Sequence, residues 1–192
     1  MSKRSLAVIA LSLLVELLGV AKHASAADSL LATLAPTSLF AQAGFGDNRT
    51  ESYLAGATWN WHWHKETAWG PLTGFEEASF GRWVTRDTGN PASAWATQIG
   101  ITPVFRLQPT RWGGEWYAEL GIGANVILPI YRSRHKRFST EFNFGDHLAV
   151  GRWYGAHLQH ELALRFEHFS NAGIDHPNPG ENFFQVRYAH RL

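Results

Sequence analysis

From Tyr53 onward the chain alternates in steps of two. In the segment Tyr53–Trp63 one parity carries Tyr53, Ala55, Ala57, Trp59, Trp61 and Trp63, and the other carries Leu54, Gly56, Thr58, Asn60 and His62. A helix would scatter these aromatics around its axis, whereas a strand gathers them on one face. Trp116–Leu128 repeats the arrangement: Trp116, Ala118, Leu120, Ile122, Ala124, Val126 and Leu128 share one face, and Glu119, Gly121, Gly123 and Asn125 share the other. Weaker versions of the pattern predict strands at Leu39–Phe45, Leu72–Thr85, Trp95–Leu107, Phe144–Trp153, His157–Ser170 and Phe183–Leu192. About eight strands is the smallest number that closes a single-chain outer-membrane barrel.

The connectors set an orientation. With the mature N-terminus inside, Gly46–Glu51, Arg86–Ser93, Pro129–Thr140 and Asn171–Asn182 become outward loops. His64–Pro71, Gln108–Glu115 and the tight Tyr154-Gly155 become inward turns. Longer outer loops and shorter inner turns follow the membrane-barrel rule, apart from a short first outer loop. A lipocalin-like soluble barrel has the same alternation with its faces reversed, and parity alone leaves both open. The polar face favours the membrane version. It gathers Glu119, Glu161, Arg165 and Glu167, charges that a narrow lumen can pair with one another.

Composition narrows the class further. Nine Trp and twelve Phe accompany a slightly negative mean hydropathy. No stretch after the N-terminal segment approaches the roughly 18 to 20 apolar residues of a spanning helix. Lys3 and Arg4, the apolar run Leu6–Val20 and Ala24-Ser25-Ala26 read as a signal peptide over residues 1–26, which leaves 27–192 as one barrel domain. A short N-terminal anchor is the alternative, because Glu16 interrupts the run. Cysteine is absent, so neither disulfides nor a lipidated N-terminal Cys are expected. A net charge of +1, spread along the chain, argues against a nucleic-acid partner.

Candidate chemistry concentrates late in the chain. His168 and Ser170 fall on the apolar parity of His157–Ser170, with Leu158, Leu162, Leu164 and Phe166. On a membrane barrel that face meets lipid, where polar groups are costly and suggest function. An imidazole beside a serine hydroxyl suits nucleophilic catalysis, since it can take the hydroxyl proton once a third group orients it. The following loop offers Asp175, Glu181 and Asn182 for that role, and Asn171, Asn178 and glycine-turn amides as oxyanion donors. Taken alone, His-x-Ser is also what a strand end in the headgroup region would carry. Elsewhere, His62 and His64 share a face without metal-ligand spacing. The run Arg132-Ser-Arg-His-Lys-Arg137 is either a solvated loop or a contact for anionic lipid phosphates.

The segment His168-Phe-Ser-Asn-Ala-Gly-Ile-Asp-His-Pro-Asn-Pro-Gly180 resembles the signature of the PagL family of lipid A 3-O-deacylases. Trp59-Asn-Trp61, Leu72-Thr-Gly74, Glu119-Leu-Gly-Ile-Gly123 and Asn143-Phe-Gly-Asp146 are similar as well. The resemblance implies an eight-stranded antiparallel transmembrane β-barrel with a serine-esterase site on its outer surface. It implies lipid A within lipopolysaccharide as substrate, outer-membrane lipids as surroundings, and no cofactor or metal; whether the chain pairs as a homodimer is left open. Carried over, Ser170 is the nucleophile and His168 the general base, with Asn171, Gly173 and Asn178 supporting activity or the oxyanion. The family's acid falls at Asn182, one residue after Glu181. The expected triad is His168, Ser170 and Glu181, because a carboxylate better stabilises an imidazolium, with Asn182 as the alternative third member. Parity opposes Glu181, which shares a face with Gln185 and Arg187, so that a turn or bulge would have to re-aim it. A non-catalytic barrel, structural or adhesin-like, is the competing functional class.

Overall fold

The computed structural model describes residues 35–86 and 95–192. The expected signal peptide, residues 1–26, and most of the connector Arg86–Ser93 lie outside the described residues. Eight strands run β1 Ser38–Gly46, β2 Thr50–Thr67, β3 Gly70–Thr85, β4 Trp95–Leu107, β5 Trp116–Leu128, β6 Phe142–Tyr154, β7 His160–Ser170 and β8 Glu181–Arg191. Each pairs antiparallel with its neighbour in sequence, and β1 pairs β8, so the sheet closes into a barrel without an edge.

Alternation along each strand fixes which side is inside. On β5, Leu120 and Ile122 are 50% and 58% exposed, whereas Glu119 and Asn125 are buried. On β7, Leu162, Leu164 and Phe166 point outward while Glu161, Arg165 and Glu167 point in. The apolar face is therefore the outer one, which selects the membrane barrel over the lipocalin-like alternative. No water reaches a lipid-facing wall to solvate backbone groups, and the closed ladder satisfies them internally.

The lumen is filled in layers. At the end where the β5–β6 loop lies, Trp83, Ile127, Phe169 and Phe183 pack together with Tyr131 and Phe138, which that loop folds back into the barrel mouth. Phe169 and Phe183 meet the Trp83 ring at centroid distances of 4.8 and 4.7 Å. Below this plug lie paired charges. Arg165 donates two hydrogen bonds to Glu77 at 2.8 and 3.0 Å, and Arg106 reaches both Glu119 and Glu161 at 2.7 Å. Buried ions persist only when matched in this way.

Several boundaries shift by one to four residues from those the pattern predicts, most of all at β2 and β7. β2 runs on to Thr67: after a register shift between Asn60 and His64, pairing with β3 resumes at His64↔Thr73. The predicted turn His64–Pro71 thus shrinks to Ala68 and Trp69 between the strands. β7 starts at His160 rather than His157. Gly155 and Leu158 adopt φ of 93° and 53°, so a short turn occupies the space between β6 and β7. The end of β7 that carries His168 and Ser170 falls at Ser170 as predicted, whereas β8 begins two residues early, at Glu181.

Candidate active site

The inward plug dictates what the outer surface presents. With Phe169 wholly buried against Trp83, its neighbours His168 and Ser170 must point outward, and both are half-buried there. The same logic holds on β8. Glu181 and Phe183 are fully buried, which turns Asn182 to the outer face. β7 and β8 pair from His160↔His190 through His168↔Asn182 to Phe169↔Glu181 without a register shift. No bulge re-aims Glu181.

His168 and Asn182, opposite one another across the ladder, are joined: His168 Nδ1 lies 2.7 Å from Asn182 Oδ1. An amide oxygen can only accept, so Nδ1 carries the proton and Nε2 keeps its lone pair. That is the tautomer a general base for serine requires. Glu181 is not brought to His168. Its carboxylate turns into the barrel mouth, 3.3 Å from Lys136 Nζ, and Lys136 also donates to Asp47 at 2.7 Å. Glu181 thereby latches the β5–β6 loop to the β1–β2 loop and the start of β8. This also takes one cation of the Arg132–Arg137 run away from any lipid contact.

The loop after β7 is built around Asn171, which is buried. Its Nδ2 donates to Ser139 Oγ, Thr140 Oγ1 and the Asp175 carbonyl at 3.0 to 3.2 Å, and its Oδ1 accepts from Gly173 N at 3.0 Å. Asn171 N donates to Asn178 Oδ1 at 3.0 Å. Two consequences follow for an oxyanion. The Gly173 amide is already committed to Asn171, whereas Asn178, with its oxygen occupied, has its NH2 group left over as a donor. Sequence reasoning had no signal for Ser139 and Thr140, because the contacts run from a different loop.

Gly180 lies against the His168 ring. Its φ is 65°, and a Cβ there would sit 2.6 Å from His168 Cε1 and 3.3 Å from Nε2. Both the left-handed backbone and the space require glycine. The imidazole is thus gripped by Asn182 on one edge and by bare backbone on another.

A closed eight-stranded barrel whose apolar face is the outer one defines the class: an outer-membrane β-barrel, here with an outward His/Ser pair at the loop end of β7 as its candidate site. The chain belongs to the PagL family, described as lipid A 3-O-deacylase, whose profile matches residues 51–191 and so takes in β2 to β8 and the whole His168–Asn182 segment. The lipid A deacylase PagL of Bordetella bronchiseptica is 35% identical over 125 residues, 65% of this chain. The chain spans 65% of that relative's length, just under two thirds. The lipid A deacylase PagL of Pseudomonas aeruginosa is 28% identical over 139 residues, 71% of this chain and 76% of the relative. The crystal structure of the outer membrane enzyme PagL superposes with a TM-score of 0.69 at 23% identity, covering 81% of this chain and 99% of that one, a likeness of fold.

Proposed function

We propose that this barrel removes the ester-linked 3-hydroxyacyl chain from position 3 of lipid A in the outer leaflet, with Ser170 as nucleophile, His168 as base and Asn182 as the residue that orients His168. The observation that carries this reading is the 2.7 Å contact from His168 Nδ1 to Asn182 Oδ1, on the face that carries Ser170. Ser170 Oγ attacks the acyl carbonyl as its proton passes to His168 Nε2, and the Asn178 amide and loop N–H groups receive the developing oxyanion. The tetrahedral intermediate collapses by breaking the bond from the acyl carbon to the sugar oxygen. His168 gives its proton to that oxygen, so the deacylated sugar leaves with a hydroxyl and Ser170 holds the acyl group. Water, deprotonated by His168, then attacks the acyl-enzyme; the fatty acid departs and the proton returns to Ser170. A lipid-facing site meets the ester where it already lies, so the substrate need not leave the membrane.

Mass spectrometry of lipid A incubated with the barrel folded in detergent tests this directly. Wild type is expected to lose one 3-hydroxyacyl chain, and no loss of mass would exclude the reading. Asn182→Ala is expected to slow the reaction roughly 100-fold, since an unoriented imidazole samples the wrong tautomer and angle. Glu181→Gln is expected to stay within a few-fold of wild type, about one order of magnitude at most. The opposite ranking would return the third position to Glu181. Gly180→Ala is a further expectation: a methyl 2.6 Å from Cε1 pushes the ring off its partner. Displacement by about 1 Å is expected to cost roughly 100-fold in kcat, and unchanged kinetics would mean the ring is not held where this geometry puts it.

A further inference from the structure

We propose that Asp146 is a positioning residue for this reaction, supplying from β6 the negative charge that Asn182 cannot supply from β8. The inference rests on the esterase reading above and deepens it. In the barrel register Asp146 is the Cα partner of His168 on β6, just as Asn182 is its partner on β8. Directly opposite residues on one face bring their Cβ atoms to about 4.5 to 5.5 Å. The histidine is therefore flanked by an amide on one side and a carboxylate on the other.

The setting of Asp146 is unusual for a carboxylate. It points outward and is exposed on β6 between Phe144 and Leu148, and its partner on β5 is Ile122, 58% exposed. An acidic side chain on a lipid-facing band is costly and calls for a compensating partner. Among the described residues Asp146 makes no side-chain hydrogen bond or ion pair. Around His168 the outward side chains are Asp146 on β6, Asn182 on β8, and Phe166 and Ser170 on its own strand, with Gly180 against the ring; Glu167 faces the lumen. Asp146 is the one charge in that ring of neighbours.

Its use follows from the reaction. While the imidazole is neutral, Asp146 gains little from it. When Ser170 gives up its proton, His168 becomes a cation beside lipid, where neither water nor salt screens it well. A carboxylate across the strand gap stabilises that state and not the resting one, which is the condition for raising kcat rather than tightening binding. Asn182 sets the tautomer, and Asp146 balances the charge. The two tasks of one acid are divided between two strands.

Kinetics in mixed micelles of lipid A and detergent, with wild type, Asp146→Asn, Asp146→Glu, Asn182→Glu and the Asp146→Asn/Asn182→Glu double variant, tests this. Asp146→Asn is expected to lower kcat about 10- to 50-fold, with KM within about twofold. Asp146→Glu is expected to recover most of the loss. In the Asn182→Glu background, where a carboxylate again touches His168, removing Asp146 is expected to cost no more than about threefold. Wild-type kcat in Asp146→Asn, a loss confined to KM, or the same loss in both backgrounds would overturn the proposal. A wild type that releases no acyl chain would instead overturn the esterase reading on which it rests.

Discussion

Ser170→Ala is expected to abolish acyl release, with a loss of at least about 10³-fold in single-turnover rate, while the barrel stays folded. The two halves of this expectation come from the same geometry. Ser170 is half-buried on the outer face and makes no side-chain hydrogen bond among the described residues, so its removal leaves no orphaned partner. On a lipid-facing wall the exchange of a hydroxyl for hydrogen is close to neutral or slightly favourable for stability. His168→Ala is expected to lose a similar factor, and the double variant hardly more than either alone, because the two act as one unit. Acyl-enzyme trapped on wild type by rapid acid quench, seen as a mass increase on the peptide that holds Ser170, provides the complementary readout. A Ser170→Ala barrel that still deacylates would assign the reaction to another nucleophile.

The strands, their antiparallel order and the outward address of His168 and Ser170 were legible because a period of two survives in the sequence wherever one face meets lipid and the other a packed lumen. Which face is which becomes visible only once Arg165 is seen against Glu77, and Arg106 against Glu119 and Glu161, contacts 88, 13 and 55 residues apart in sequence. The β2 extension was hidden because His64-Lys-Glu-Thr67 carries no apolar residue and so leaves no alternation to read. The proposed third site residue is the more instructive case. Parity alone already places Asn182 with His168; the expectation of Glu181 comes from the chemistry an imidazolium prefers. Chemistry of that kind acts only through contact, and Glu181 is walled off by Phe169 and Phe183 in the plug. Asp146 had no signal from spacing, because it is the register partner of His168 across a strand pair rather than its neighbour along the chain.

The wall that carries the site is backed by the ion pairs of the lumen. Arg106 holds Glu119 and Glu161 together at 2.7 Å each, with its guanidinium over the rings of Tyr117 at 4.1 Å and Phe75 at 4.8 Å. Arg106→Met fills much the same volume but takes from two buried carboxylates the cation nearest to each, leaving Glu119 only Arg165 at 3.9 Å. It is expected to lower the free energy of unfolding by about 3 to 5 kcal/mol, read as a reduced urea midpoint in detergent or lipid. The triple variant Arg106→Met/Glu119→Gln/Glu161→Gln removes the stranded charges and is expected to recover most of that loss, which separates charge burial from lost packing. Equal instability in single and triple variants would assign the cost to packing against Tyr117, Phe75 and Trp153 instead. Arg106 sits toward the far end of β4 from the active-site loops, so deacylation by the folded fraction of Arg106→Met is expected to keep its kcat. A fall in kcat of the folded fraction would mean that the lumenal network also tunes the spacing of β6, β7 and β8, and hence the distances from His168 to Asn182 and Asp146.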